Sequence, residues 1–175
     1  HHGGSHKYFG FTPDMAVYSK GLGNGYAISA CLGKEFLREA SNEVFLTGSC
    51  WNDAVAMSAA CKSLEISHSN NVADSIMSKG LYFASAMHEK AKQNKFSFNL
   101  TGPASMPYPW FEGDENLFLI QKFCEIVSRR GLYFHPHHNW FISNAHSKDD
   151  LDYAVEIAGE SMKELSKLWV FYENF

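Results

Sequence analysis

The fold of this sequence is decided by residues 19–26, which read Ser-Lys-Gly-Leu-Gly-Asn-Gly-Tyr. An apolar run at residues 15–18 leads directly into Lys20, and a second apolar run follows at residues 27–32. Apolar runs separated by alternating glycines predict a strand, a glycine-rich bend and a second strand. The pattern therefore places Lys20 at the end of a buried strand, beside backbone that a ligand can approach closely.

A lysine at the end of a buried strand suggests Schiff-base chemistry. Lysines rarely lie buried without a partner or a chemical task. Desolvation lowers the pKa of an ammonium group and frees the amine to attack a carbonyl carbon. On the local pattern alone, the alternative is a lysine that flanks the strand and extends its ammonium group into water.

The composition favours a packed globular chain. Of the 175 residues, 45% are hydrophobic and 19% are charged, which argues against disorder. The formal net charge is -4 and the charges are scattered, so neither nucleic acid nor an anionic membrane is expected as a partner. The four cysteines form no C-x-x-C pair, and we expect reduced, buried thiols in a cytoplasmic protein.

Periodicity and turn residues predict two domains. Residues 1–66 read as strands and helices of a larger sheet, the C-terminal part of a cofactor-binding domain that is too small to close its own core. Residues 67–175 read as a small α+β C-terminal domain. The predicted helices cover residues 34–40, 54–66, 72–92, 115–130 and the segment after 147, and the further short strands cover residues 44–46, 96–100, 106–111, 132–134 and 140–142.

A second candidate site precedes the helix predicted at residues 54–66. Gly48 and Ser49 stand close to its start, where a hydroxyl and free N–H groups suit a phosphate. The alternative is an ordinary N-cap region. The glycines near Lys20 lack the G-x-G-x-x-G spacing and a G-K-[ST] motif, so they predict neither a dinucleotide fold nor a P-loop.

A third candidate is the histidine-rich turn at residues 135–138, which reads His-Pro-His-His, with His146 downstream. Histidines at this density can bind zinc or another transition metal. No cysteine or carboxylate within the turn completes a ligand set, so a polar turn near the surface or a ligand cleft is favoured.

Together these stretches resemble a known family. Residues 12–30 (TPDMAVYSKGLGNGYAISA) closely resemble the lysine motif of class III aminotransferases, which use pyridoxal phosphate, and within that class the glutamate-1-semialdehyde aminomutase-like group. Residues 48–60, 102–107 and 131–147 resemble later segments of the same family, in the same order. The chain is thereby identified as a C-terminal piece of a fold-type I transferase of the α/β class.

The resemblance implies roles for four residues. Lys20 would hold pyridoxal 5'-phosphate as a Schiff base and move a proton between the substrate and the cofactor. Ser49 stands where the family usually has threonine, and with Gly48 it would bind the cofactor phosphate of the neighbouring subunit in a homodimer. Thr47 takes that role if the register shifts by two. The expected partners are a small-molecule amino donor and a keto or aldehyde acceptor.

The chain also departs from the family pattern. The aspartate that contacts the cofactor ring would precede residue 1, so we expect this piece alone to be inactive. No arginine follows Arg130, which argues against the carboxylate-binding mode of many relatives. Three functions remain open: an aminotransferase, a glutamate-1-semialdehyde 2,1-aminomutase, which is an isomerase, and a non-catalytic truncated homologue.

Overall fold

The computed structural model describes residues 3–172 and divides into two compact units, His1–Ala73 and Asp74–Phe175. None of the helices in the described part of the chain is long and apolar enough to cross a membrane. The boundary between the units follows a long helix of the first one, whereas the boundary expected from the sequence, after residue 66, falls inside that helix.

The first unit contains the predicted strand, bend and strand. Its elements in chain order are helix α1 (Ser5–Phe9), strand β1 (Met15–Tyr18), a 3-10 turn (Lys20–Leu22), strand β2 (Ala30–Gly33), a 3-10 turn (Glu35–Leu37) that continues as α2 (Arg38–Asn42), and helix α3 (Ala54–Ser69). Strands β1 and β2 are antiparallel, with Met15 opposite Gly33 and Tyr18 opposite Ala30.

The first unit buries little of its own surface. Among residues 3–73, the buried positions are Gly23, Ala56 and Ala60. The prediction of a buried strand before Lys20 is therefore wrong for this chain, because the two-stranded sheet has no second layer within its unit and Val17 of β1 is 73% exposed. The expectation that this part does not close its own core agrees with this burial pattern.

The strand predicted at residues 44–46 is absent from the described first unit, where this segment is irregular. Its apolar residues are exposed, and the Phe45 side chain is 89% exposed. A strand needs a hydrogen-bonding neighbour, and β1 and β2 pair only with each other. An apolar run alone could not supply that information.

The second unit is built from helices around one β-hairpin. It contains most of helix α4 (Val72–Gln93), strands β3 (Phe98–Thr101) and β4 (Tyr108–Phe111), helix α5 (Phe118–Arg129) and helix α6 (Lys148–Tyr172). The two strands are antiparallel, with Phe98 opposite Phe111. Phe98 also packs near Phe123 of α5, and both rings are fully buried.

Helix α6 begins with a side-chain cap and buries its apolar face. The Ser147 hydroxyl and N–H both donate to the Asp150 carboxylate, at 2.7 and 2.8 Å, and the Asp150 N–H donates back to the Ser147 hydroxyl at 3.1 Å. Residues 147–150 read Ser-Lys-Asp-Asp, a sequence typical of such a reciprocal cap. The apolar positions spaced by four and three residues are all buried, namely Leu151, Val155, Ala158, Met162 and Leu165.

Two strands predicted for the second unit do not form. Residues 132–134 and 140–142 carry no strand ladder and no other regular secondary structure. The N–H groups of Trp140 and Ile142 instead donate to the carbonyls of Pro107 and Ser105, at 2.8 and 3.0 Å. The segment therefore hydrogen-bonds to the loop between β3 and β4, which leaves the hairpin two-stranded.

Candidate active-site lysine and phosphate turn

Lys20 lies immediately after β1, as the first residue of the 3-10 turn Lys20–Leu22. Its φ angle is +49°, in the left-handed region that a residue with a long side chain rarely adopts. The turn is closed by hydrogen bonds from Leu22 N–H to the Ser19 carbonyl (3.0 Å) and from Asn24 N–H to the Lys20 carbonyl (3.1 Å). Observed strain of this kind clusters at functional sites.

The side chain of Lys20 is exposed, not desolvated as the sequence suggested. Within residues 3–172 its amine has no hydrogen-bond or ion-pair partner. Lys34, at the end of β2, differs in this respect because its amine binds the Asp14 carboxylate at 2.7 Å. The amine of Lys20 is therefore accessible to a carbonyl compound.

The glycine-rich bend after Lys20 is closely packed at one position. A Cβ atom on Gly23 would lie 2.4 Å from the Tyr26 carbonyl oxygen and 2.6 Å from Cγ2 of Ile28, so only glycine fits there. The Ser63 hydroxyl of α3 donates to the Gly21 carbonyl at 3.2 Å. Helix α3 therefore holds the turn that carries Lys20.

The segment before α3 carries the predicted phosphate-binding residues Thr47, Gly48 and Ser49, and all three are exposed. The Asp53 carboxylate accepts the N–H groups of Val55 and Ala56, at 2.9 and 3.3 Å, and so caps α3. These first-turn N–H groups are already bonded. The groups left for a phosphate are the hydroxyls and backbone of residues 47–49.

A cavity of about 570 Å³ connects the two candidate segments within the first unit. It is lined by Ser19, the neighbour of Lys20, and by Gly48, together with Ala27, Ile28, Ser29, Cys50, Trp51, Asp53, Ala56 and Met57. The structure thus brings the backbone beside Lys20 and the turn at Gly48 to one cavity. Lys20, Thr47 and Ser49 themselves are not among its lining residues.

Two contributions to this region were not found from the sequence. Ser19 lines the cavity, and the Tyr18 hydroxyl donates to the Gly3 carbonyl at 2.6 Å. Gly3 and Gly4 have φ angles of +89° and +106°, and a Cβ on Gly4 would lie 3.3 Å from the Tyr18 ring. The adjacent glycine pair was the available signal, since glycine pairs favour such backbone conformations.

The histidine-rich turn is held by its own backbone. His135 Nδ1 accepts the His137 N–H at 3.0 Å, and His146 Nδ1 accepts the Ser143 N–H at 3.1 Å. In the described part of the chain, no group of three or more His, Cys, Asp or Glu side chains is arranged to hold a metal ion.

The cysteines are free, but the expectation that all are buried is wrong for three of them. Cys31, Cys50 and Cys61 are exposed because they lie in the thinly packed first unit. Cys124 of α5 is buried, and burial raises the pKa of its thiol to about 12.

Comparison with known proteins identifies the family. The family described as aminotransferase class-III matches residues 4–155. The chain is 32% identical over 170 residues to 3-aminobutyryl-CoA aminotransferase of Cloacimonas acidaminovorans, and 32% identical over 149 residues to aminopentol aminotransferase of Sphingopyxis macrogoltabida. These matches cover 95% and 85% of this chain, but 41% and 35% of the relatives. The chain therefore spans about two fifths of their length.

Glutamate-1-semialdehyde 2,1-aminomutases are also similar; that of Natranaerobius thermophilus is 24% identical over 95% of the chain. Among solved structures, the internal aldimine form of the FumI protein of Sphingopyxis sp. MTA144, with pyridoxal phosphate, matches with a TM-score of 0.91 and 30% identity. The match covers 95% of this chain and 40% of the FumI chain. The mixed architecture is thus part of a fold-type I transferase, and the chain belongs to the class-III aminotransferase family.

Proposed function

We propose that this chain carries the Schiff-base lysine of a class III aminotransferase that depends on pyridoxal 5'-phosphate. The observation that carries the proposal is the state of Lys20: a left-handed backbone at the end of β1 and an exposed amine without a partner in the described residues. An amine can add to an aldehyde only if it is accessible and not held by a carboxylate.

The residues present fit the cofactor. Lys20 Nζ would bind its aldehyde carbon covalently. Gly48 and the hydroxyl of Ser49, or that of Thr47 if the register shifts by two, would bind the phosphate of the cofactor in the neighbouring subunit. The only carboxylate in the adjoining cavity belongs to Asp53, and it is directed to the N–H groups of α3. When bound, pyridoxal phosphate would supply an electron sink for cleavage of a bond at the substrate carbon.

The chain itself would supply the group that transfers the proton and the backbone that positions this group. The amine of Lys20 would accept the proton from the substrate carbon and deliver it again, as a general base and then a general acid. The bend at Gly23 fixes the backbone that follows Lys20, and the contact of Ser63 with Gly21 anchors it on α3. A fixed backbone at Lys20 reduces the number of positions that its amine can occupy, and proton transfer needs the amine close to the substrate carbon.

The reaction would transfer an amino group from a small-molecule amino donor, which becomes a carbonyl compound, to a keto or aldehyde acceptor. Arg130 binds Glu160 and Glu164 at 3.4 and 2.7 Å, and Arg129 binds Glu164 at 3.0 Å. These guanidinium groups are already paired, and this favours substrates that do not depend on either arginine for a carboxylate contact.

The same proposal includes the assembly. Ser49 would bind the phosphate in the neighbouring subunit of a homodimer, so that two chains share each site. Residues 1–66 would end the large cofactor domain, residues 67–175 would form the small domain, and the protein would act in the cytoplasm. The exposed apolar residues of the first unit support a partner surface, since such patches commonly mark interfaces.

Two alternatives remain distinct. An aminomutase would use the same lysine but retain the keto intermediate and return the amino group to it. A non-catalytic homologue would keep the fold and lose amino transfer. The 32% identity to two aminotransferases, against 24% to an aminomutase, favours intermolecular transfer.

The test compares Lys20→Ala with Lys34→Ala in the protein encoded by the whole reading frame that contains this chain. Loss of a general base lowers the rate by about 100-fold or more, so Lys20→Ala should abolish measurable transfer from an amine donor to a keto acid. Lys34→Ala removes only an exposed ion pair and should retain the rate. Equal activity of the two variants would refute the role of Lys20, and release of a free keto product would exclude the aminomutase.

A further inference from the structure

The second unit contains a cavity that the amino-transfer proposal does not use. Its volume is about 620 Å³, within the range of small-molecule sites. Its floor is apolar and buried, and is formed by Phe83, Trp140, Ile142 and Leu151. The rings of Phe134 and Trp140 stack there with centroids 4.0 Å apart. A flat ring or an alkyl chain matches such a floor.

Three imidazoles line the same cavity, those of His135, His138 and His146, and we name it the imidazole cavity. The backbone determines where two of their protons lie. His135 Nδ1 accepts the N–H of His137, and His146 Nδ1 accepts the N–H of Ser143. A nitrogen that accepts carries no proton, so in both rings the proton is on Nε2.

His138 has the opposite tautomer. Its Nδ1 lies 3.0 Å from the carbonyl oxygen of Asn139, which can only accept. Nδ1 therefore carries a proton, and in the neutral ring Nε2 of His138 is an acceptor. The rings of His135 and His146 thus each carry an N–H donor at Nε2, and the neutral ring of His138 carries an acceptor there. His135 and His138 are exposed, and His146 is half-buried.

The lining of the cavity contains one carboxylate and no lysine or arginine, and all of its residues lie in the described part of the chain. Asp150 lines the cavity, and its carboxylate binds the Ser147 hydroxyl and N–H. A carboxylate ligand would meet a like charge without a compensating cation, whereas an uncharged oxygen can accept from the imidazoles.

We propose that the imidazole cavity binds an uncharged aryl or alkyl compound whose carbonyl or hydroxyl oxygen accepts hydrogen bonds from Nε2 of His135 and His146. The apolar body of the ligand lies on the stacked rings of Phe134 and Trp140. This binding does not depend on amino transfer by Lys20.

The test titrates the protein encoded by the whole reading frame that contains this chain with three probes of similar size: acetophenone, ethylbenzene and benzoate. Proton–nitrogen correlation spectra of the imidazoles report both the tautomers and the binding. We expect saturable shifts of His135 and His146 with acetophenone, and none for His88, which lies on α4 outside the cavity. Acetophenone should bind about fivefold more tightly than ethylbenzene, because of the added hydrogen bonds, and benzoate should bind most weakly.

A pair of variants controls for binding elsewhere. His146→Phe keeps an aromatic ring but removes the N–H, and it should reduce the preference for acetophenone over ethylbenzene; His88→Phe should not. Absence of saturable shifts at His135 and His146, a Nδ1–H tautomer of His146, or benzoate as the tightest probe would each overturn the proposal. These outcomes come from the unsubstituted chain and do not depend on the folding of a variant.

Discussion

At the residue scale, Lys20 stands out by its backbone. Lys95 also has a positive φ angle, +65°, but it follows the end of α4, where a left-handed residue commonly closes a helix. Lys20 instead follows a strand and begins a turn. No helix end explains its conformation, which is why the strain is taken as a sign of function.

Gly23 provides a residue-scale test of the bend. In Gly23→Ala the new Cβ would meet the Tyr26 carbonyl oxygen and Ile28, and backbone must shift to relieve it. We expect a lower melting temperature and weaker retention of pyridoxal phosphate. Gly21→Ala is the matched control, since its Cβ would meet nothing within 4 Å. Equal effects of the two substitutions in thermal unfolding and cofactor titration would contradict the packing argument.

The cysteines provide a second residue-scale test. Cys124 is buried and its pKa is raised to about 12, so it holds no reactive thiolate at neutral pH. Iodoacetamide should alkylate Cys31, Cys50 and Cys61 of the 175-residue chain, and reach Cys124 only after urea unfolding. Peptide mass spectrometry gives the rate for each thiol. Alkylation of Cys124 in the folded chain as fast as that of Cys31 would show that α5 is not packed as described.

Sequence patterns predicted local backbone features of these residues better than their burial. The glycine spacing pointed to the bend, and the helix after residue 53 was expected from its sequence. The burial of Lys20 and of three cysteines was not, because burial depends on which layers cover a strand. An apolar run indicates that a segment tends to be buried, but it does not identify the element that packs against it.

At the element scale, α4 packs closely against the loop between β3 and β4 at Gly80. A Cβ on Gly80 would lie 2.0 Å from the Ala104 carbonyl oxygen. That loop also accepts the N–H groups of Trp140 and Ile142. Small-residue packing of α4 therefore supports the segment that lines the imidazole cavity.

Gly80→Ala should destabilise the second unit by about 1–3 kcal/mol, because a backbone carbonyl cannot move aside easily. Gly159→Ala in α6 is the matched control: the nearest atoms belong to the flexible Lys90 side chain, which can rotate away. Alanine has the higher helix propensity, so this control should be neutral or slightly stabilising. Urea unfolding measures both. A Gly80→Ala chain as stable as Gly159→Ala would contradict the close approach.

The cap of α6 predicts an acid-sensitive helix start. The Ser147 hydroxyl, and then the Ser147 N–H, hold the pKa of Asp150 below its ordinary value of 3.8. The unfolded chain binds the proton more readily, so this stabilisation is complete above the unfolded pKa and is lost as pH falls through the folded one. Hydrogen bonds from Lys148 and Lys122 likewise lower the pKa values of the Asp152 and Glu125 carboxyls, respectively.

We therefore expect the urea midpoint of the chain to fall between about pH 5 and about pH 2. Asp150→Asn should lower the midpoint at neutral pH and reduce its decline in acid. Asp149→Asn, at the neighbouring exposed position of α6, serves as the control. Parallel pH profiles for the chain and Asp150→Asn would contradict a charged cap.

Helices were predicted more accurately than strands for a physical reason. The caps and periodicity of α3, α4 and α6 are local, and their bounds lie within a few residues of those expected. The start of α5 differed more, at Phe118 instead of residue 115, because Asp114 accepts the N–H groups of Leu119 and Ile120. Strands at residues 132–134 and 140–142 depended on partners far along the chain.

At the scale of the whole molecule, the two units differ in how they bury apolar surface. The second has a continuous core around Phe98, Phe123 and Met162, whereas the first exposes residues such as Phe45 and Val17. The chain matches the family model and spans about two fifths of the length of its relatives, and both findings agree with this difference in burial. The candidate site lies in the unit with the smaller core, so its residues could be identified from motifs but not from packing.

Reductive trapping tests most directly whether Lys20 holds pyridoxal phosphate, as we propose. The encoded protein containing this chain is incubated with pyridoxal phosphate, reduced with borohydride and mapped by peptide mass spectrometry. We predict one phosphopyridoxyl group per chain, on Lys20, and none on Lys34, whose amine is paired with Asp14. Cofactor bound without modification of Lys20, or label spread equally over Lys20 and Lys34, would contradict the claim.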